Sequence, residues 1–404
     1  MEASIALKMK RNLLLMTIDS ITNKRSYMAF FMIYLLALPG ATAKTAGLFV
    51  MIGAIAGFIF EVPSGYVSDK IGHKRALVIG RVSLLLSTVC YFVGSDIWIF
   101  FIGSIFFSAA VAFASGTNSA FLHETLQSLG RDGEYARIVG KMRSIGFAVP
   151  ILFILAVSAL AEINYQYALG VALIIDVIGL IAILLLTEPV RKVPIDEVDL
   201  INFPKALRLY MSLPWIRYVM FGAVGFSVLF TVTVTFKQPY QEHLGISLTA
   251  LGVLWALSRV FISAVLPFNG KIYEWLTFKQ FTIYRNLLFA ISFFGVAFFD
   301  NKWIVASFFI FGNIFTWGLS PVHSQYLLDY IPNSNLKATM LSINQFIVGI
   351  FKAVLSVLVG YSVFYTDYKT TFWIAGAICF LVAILPIIYI KGQDIRKNKA
   401  ILTP

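Results

Sequence analysis

A chain of 404 residues that is 59% hydrophobic and only 13% charged, with mean hydropathy +0.83, is too apolar for a water-soluble globule. Its net charge of +12 then belongs to the inner leaflet of a membrane, with basic side chains snorkelling to lipid headgroups, and not to nucleic acid. The two cysteines, Cys90 and Cys379, both lie in apolar runs. They read as small hydrophobes and argue against a disulfide framework.

Apolar runs lie near 12–37, 46–67, 76–95, 98–123, 139–161, 165–187, 214–240, 248–269, 280–299, 303–327, 338–362 and 370–391. Each approaches the roughly 20 residues a helix needs to cross a bilayer core, and a helix satisfies its own backbone in lipid. The pattern predicts an all-α integral membrane protein with twelve transmembrane helices. In the first run Asp19, Asn23, Lys24 and Arg25 interrupt the apolar pattern. A helix starting only at Tyr27 would be too short before Pro39, so the segment from Asn12 is assigned to it. The alternative is an interfacial helix ending at Arg25. The run carries no small-residue cleavage site, so no secretory signal is expected.

Basic residues concentrate on one side of these runs: Lys8, Lys10, Arg11, the 70–75 turn, Arg131, Arg137, Lys141, Arg191 to Arg208, Lys271, Lys279, Lys337 and the 391–399 tail. The other side holds little beyond Lys44, Lys302 and Lys369. The positive-inside rule places both termini in the cytoplasm, and a multi-pass protein of the inner (plasma) membrane is expected.

Between the second and third runs stands Gly65-Tyr-Val-Ser-Asp69-Lys-Ile-Gly72-His-Lys74-Arg75. Further on, His123-Glu124-Thr-Leu-Gln127 falls short of a zinc-protease motif, because Gln127 occupies the place of the second histidine. There is no Gly-x4-Gly-Lys-Ser/Thr loop either, so no metal site and no nucleotide cofactor is expected. The longest polar break separates six runs from six. It predicts an N-terminal lobe over 1–187, a cytoplasmic linker over 188–213 and a C-terminal lobe over 214–404. The turn has a weaker twin 205 residues later, in Gly270-Lys-Ile-Tyr-Glu274-Trp-Leu-Thr277-Phe-Lys279. The same offset superimposes Gly40 on Gly245, Gly47 on Gly252, Ser119 on Ser324, Phe121 on Tyr326 and Glu124 on Asp329. A fixed offset held over four helices is an internal repeat, the plan of two-lobed secondary transporters.

On these features the chain resembles the major facilitator superfamily along essentially its whole length. The carrier of the resemblance is the Gly65–Arg75 turn, similar to the family's signature between helices 2 and 3. Glu61-Val-Pro63-Ser64 and Lys337-Ala-Thr339-Met-Leu-Ser342 also resemble bacterial members, many of them efflux proteins. The antiporter signature of helix 5 is not matched: only Gly146 and Pro150 remain. The resemblance implies a cytoplasmic gate latch at Gly65, Asp69, Gly72, Lys74, Arg75 and Glu124. The repeat extends that expectation to Gly270, Glu274, Lys279 and Asp329. Asp69 would face the positive N-terminal end of helix 11, capped by Ser334 or Asn335.

A substrate cavity near midplane is expected from polar stripes at helical spacing. Helix 1 contributes Asn23, Lys24, Tyr27 and Tyr34, helix 7 Thr235 and Gln238, and helix 8 Arg259. Helix 10 contributes Asn313 and Trp317, and helix 11 Gln345 and Lys352. Lys24, Arg259 and Lys352 either line the cavity or pair with Asp19 or Asp176. Those two carboxyls are the candidate proton sites, since burial raises a carboxyl pKa. The function expected is a secondary transporter working by alternating access, a monomer exporting an amphiphilic small molecule against proton entry. A lipid or lysolipid translocator and an importer of an organic anion are the alternatives. No catalytic constellation is present in the sequence.

Overall fold

Helices form where the apolar runs predict them, and their starting points expose the repeat. The computed structural model describes residues 2–131, 134–189, 208, 211–212, 216–329 and 337–389, and the side chains of Asp69 and Asp329 lie outside that description. In chain order the helices are α1 (Glu2–Thr22), α2 (Phe31–Leu36), α3 (Ala43–Ile71), α4 (His73–Val93), α5 (Ile97–Ala114), α6 (Thr117–Ser128), α7 (Tyr135–Ile163) and α8 (Tyr165–Leu184). There follow α9 (Ile216–Thr235), α10 (Lys237–His243), α11 (Leu248–Val265), α12 (Asn269–Trp275), α13 (Phe278–Phe298), α14 (Lys302–Asn313), α15 (Ser320–Asp329), α16 (Lys337–Tyr365) and α17 (Tyr368–Tyr389). Among the described residues there is no β-strand.

Among the described residues, ten segments, from Ala43–Glu61 to Tyr368–Leu385, are long and apolar enough to cross a membrane. The first run is absent from that set because α1 carries Lys8, Lys10, Arg11 and Asp19, and the seventh contributes only the shorter apolar helix Gly222–Thr235. Both runs are also broken. The polar triplet Asn23-Lys24-Arg25 stops α1, Arg25 is extended, and a 3-10 turn at Ser26–Ala29 leads into α2. In the seventh run α9 ends at Thr235 and α10 restarts at Lys237. The repeat is visible in the element starts: α3 and α11, α4 and α13, and α5 and α14 each begin 205 residues apart. Caps follow the same offset, with Asp96 accepting from the Trp98 N–H (2.8 Å) and Asn301 from the Trp303 N–H (3.0 Å).

The chain divides into two compact units. Unit 1 comprises residues 1–41, 52–197 and 247–256, and unit 2 comprises residues 42–51, 198–246 and 257–404. The opening turns of α3 thus belong to unit 2 and those of α11 to unit 1, again 205 residues apart. Small residues allow both placements. A Cβ on Gly47 would come within 2.4 Å of the Ser356 carbonyl oxygen in unit 2, and one on Gly252 within 2.6 Å of Ser158 Oγ in unit 1. Within unit 2, Lys44 Nζ sits 3.8 Å from the Phe364 ring centre and donates to Tyr365 Oη at 2.8 Å. At the equivalent place in unit 1, Glu162 Oε2 accepts from the Thr249 N–H at 2.9 Å.

The core of unit 1 gathers Leu15, Met16, Leu77, Phe121, Leu126 and Ile183; that of unit 2 gathers Val219, Phe278, Phe281, Val322, Tyr326 and Ile343.

Candidate transport and gating residues

The turn between α3 and α4 is built by Gly72, whose φ of +103° is a conformation that side-chain-bearing residues rarely adopt. A Cβ there would meet the Glu188 carboxylate at 3.3 Å. That carboxylate accepts from the His73 and Lys74 N–H groups, both at 2.8 Å, and so caps α4 from the far end of unit 1. An acid at a helix N-terminus also meets the positive end of its dipole. Glu188 is held in turn by its neighbour: Thr187 exchanges two hydrogen bonds with Asn12, at 2.8 and 2.9 Å. Ile71, Gly72, Lys74, Arg75, Leu186, Thr187 and Glu188 line an open groove of about 640 Å³ here.

Glu124 meets His73, whose Nε2 is 3.2 Å from Glu124 Oε1. His73 Nδ1 lies 2.7 Å from Ser68 Oγ, and Thr117 Oγ1 donates to the same oxygen at 3.2 Å. No atom lies within 4 Å of a Cβ placed on Gly65, so nothing packs closely against it. In the twin turn, Thr277 caps α13 through a capping box with Gln280. Gly270 and Glu274 are exposed there, and Tyr326 Oη donates to the carbonyls of Tyr273, at 3.2 Å, and Leu276. In unit 1, the Arg131 guanidinium donates to Glu134 and holds its carboxyl below the usual range. The helix-11 cap at Ser334 or Asn335 falls outside the described residues.

Deeper in unit 1 two ion pairs dominate. Arg25 turns to α8 and donates to both oxygens of Asp176, at 2.6 and 2.8 Å, while Thr88 Oγ1 donates to the same carboxylate at 2.6 Å. Arg81 donates to Asp19 Oδ1 at 2.6 Å and to Thr22 Oγ1 at 2.8 Å. Asp19 and Asp176 therefore face arginines, and Arg81 is a deep charge that its apolar run conceals. Lys24 instead lies over the Phe147 ring at 4.6 Å.

In unit 2, Lys352 lies 4.4 Å over the Phe230 ring. Trp317 packs edge-on against Phe230, and Phe226 stacks on it. Trp317 is about half exposed. Tyr27, Tyr34, Thr235 and Gln238, expected on a cavity wall, are buried inside their units, with Tyr27 and Tyr34 in aromatic clusters with Phe31, Phe100 and Tyr165. Asn313 is likewise buried, Asn23 and Arg259 are half-buried and Gln345 is exposed. Phe147, Phe226 and Phe230 escaped the sequence reading because a phenylalanine in an apolar run gives no sign of a lysine above it. Among the described residues no group of three or more His, Cys, Asp or Glu could hold a metal ion.

The family model described as the Major Facilitator Superfamily matches residues 13–336. The chain belongs to this superfamily. It is thus a multi-pass membrane protein of a family of transporters. One curated relative, an uncharacterized MFS-type transporter named YqjV from Bacillus subtilis (strain 168), is 33% identical over 73 residues, 18% of this chain and 18% of that relative. Among solved superfamily structures, the nucleoside transporter NupG matches with TM-score 0.80 and 14% identity over 96% of this chain and all of its own. A POT family transporter in complex with 5-aminolevulinic acid gives 0.72 and 12% over 96% and 97%. The inward-open xylose transporter XylE from E. coli gives 0.64 and 15% over 99% and 100%. At such identities these likenesses establish the fold alone.

Proposed function

We propose that this superfamily member exports an amphiphilic small molecule with an anionic or zwitterionic head from the cytoplasm, by alternating access and against proton entry. The observation that carries the reading is the Lys352–Phe230–Trp317 group of unit 2, where a cation rests on an aromatic face beside a half-exposed indole. Such a surface offers a charge and an apolar wall together, the complement of an amphiphile. Lys24 over Phe147 offers the same combination within unit 1. Asp19 and Asp176 are the proposed proton carriers. The Gly65–Arg75 turn with Glu124, and its twin with Asp329, are the proposed cytoplasmic gate. The protein would work as a monomer in the inner membrane with both termini cytoplasmic.

Proteoliposomes with an imposed pH gradient test the reading. Anionic and zwitterionic amphiphiles should drive proton flux, and Lys352→Ala should reduce their transport about tenfold, the scale of one lost charge-assisted contact, while sparing neutral ligands. Equal loss for neutral ligands removes the basic-head assignment. Silence of proton flux for cationic, anionic and lysolipid ligands alike removes the coupling.

A further inference from the structure

We propose that unit 2 contains a buried anion-binding site at Arg285, with His323 as its second donor, which takes a small inorganic anion or the carboxylate of a larger ligand. Arg285 lies on α13 and is 3% exposed. Its Nη2 donates to the Gly222 carbonyl of α9 at 3.3 Å, and its Nε finds no acceptor. The Phe281 and Phe289 rings flank the guanidinium at 5.3 and 5.8 Å. No carboxylate among the described residues pairs with it.

His323 on α15 brings a ring whose buried Nδ1 also lacks a hydrogen-bond partner. Gly222 is what lets the two groups approach one place. A Cβ there would stand 3.1 Å from Arg285 Nη2 and 3.8 Å from His323 Cε1. The neighbouring Asn286 is occupied elsewhere: its Nδ2 donates to the Thr282 carbonyl at 2.9 Å and its Oδ1 lies against Gly225. Thus Arg285 Nε, on a group carrying a fixed positive charge, and His323 Nδ1 are enclosed by α9, α13 and α15 without hydrogen-bond partners.

Burying a guanidinium without a counter-charge is costly. Unit 1 supplies a carboxylate to each of its arginines at 25 and 81. In unit 2 the chain supplies a carbonyl and two phenyl faces. An anion accepting from Arg285 Nε–H and from the Nδ1–H tautomer of His323 would satisfy both orphans at once. The site is distinct from Lys352 and does not depend on the substrate proposed for it.

The test is thermal unfolding of the full-length protein in detergent, followed by tryptophan fluorescence. Chloride, formate or decanoate is titrated against gluconate at constant ionic strength. A saturable rise in Tm of about 2–4 °C is expected, abolished in Arg285→Gln. His323→Phe keeps the ring volume and should weaken the apparent Kd about tenfold, one lost charge-assisted donor. Saturation by chloride or formate identifies a small-anion site, and saturation by decanoate alone identifies a site for the carboxylate of a larger ligand. If no anion gives a saturable shift, or if Arg285→Gln responds like the wild type, the site does not exist. Should Arg285→Gln fail to fold, an unchanged Kd in His323→Phe overturns the proposal. A protein that transports nothing tested above but keeps this anion response would separate the two readings.

Discussion

The two units share one helical plan but treat buried charge differently. Unit 1 neutralises its interior arginines with aspartates on other helices, Arg25 with Asp176 and Arg81 with Asp19. Unit 2 places Arg285 and Lys352 against aromatic rings, and neither forms an ion pair with a carboxylate among the described residues. A repeat that keeps three pairs of helix starts 205 residues apart has thus diverged where charge meets the membrane interior. Paired charges fix helices to one another, whereas charges left to rings and carbonyls are available to ligands. The contrast is one of pairing: carboxylates hold Arg25 and Arg81 in unit 1, whereas rings and a carbonyl hold Arg285 and Lys352 in unit 2.

The largest effect that could break this contrast comes from Asp176→Asn. It strands the Arg25 guanidinium and should cost about 3–5 kcal/mol, seen as a lower unfolding midpoint in detergent. Arg25→Met combined with Asp176→Leu should recover most of that loss. Arg285→Gln strands no carboxylate and should stay within about 1 kcal/mol of wild type in gluconate buffer. Equal losses for Asp176→Asn and Arg285→Gln would erase the distinction between the units.

A smaller effect separates the two turns. Glu188→Gln weakens a remote, charged cap on α4, and Thr277→Ala removes a local one on α13, each costing about 1 kcal/mol. Hydrogen exchange should tell them apart. The first should loosen His73 and Lys74 together with Thr187, and the second the opening turn of α13 alone. Loosening confined to α4 in Glu188→Gln would reduce Glu188 to an ordinary cap.

The smallest effect concerns α8 and α17, which begin with Asn164 and Asp367 in equivalent roles. Asn164 accepts from the Gln166 N–H at 2.7 Å, and Asp367 from the Thr370 N–H at 2.9 Å. The Thr370 bonds hold the Asp367 carboxyl below its ordinary value. A carboxyl depressed in the folded state contributes stability above its unfolded pKa of ~3.9 and loses it as pH falls through the folded value. Unit 2 alone should therefore lose the first turn of its last helix in acid. Asp367→Asn should abolish that pH dependence, read by hydrogen exchange at Thr370 and Thr371; persistence in the variant would place the titrating group elsewhere.

Most of the architecture is legible in the sequence because lipid demands long apolar segments and a duplicated bundle repeats its punctuation. The offset of 205 taken from a handful of glycines and acids recurs in the starts of α11, α13 and α14. The partners of charged residues are less legible. Glu124 is conspicuous in sequence, but its meeting with His73 depends on how α6 packs against α4. Arg81 and Arg285 sit in runs so apolar that neither stood out, and only tertiary packing shows one matched and the other not. The break in α1 could be read from Asn23-Lys24-Arg25, and that at Phe236 precedes the polar Lys237-Gln238-Pro239, whose proline sits in the first turn of α10.

The crossed membership of α3 and α11 bears on how the polypeptide is made. Unit 1 takes in residues 247–256, so it lacks part of its packing until more than half the chain has left the ribosome. Residues 42–51, made early, wait for α16 near the other end, where Gly47 finally meets Ser356. Domains ordinarily mature in order of synthesis, but here neither unit can finish alone. Fragments divided between residues 188 and 213 should each be proteolytically fragile by themselves and become resistant when co-expressed, making assembly of the whole chain its own quality check.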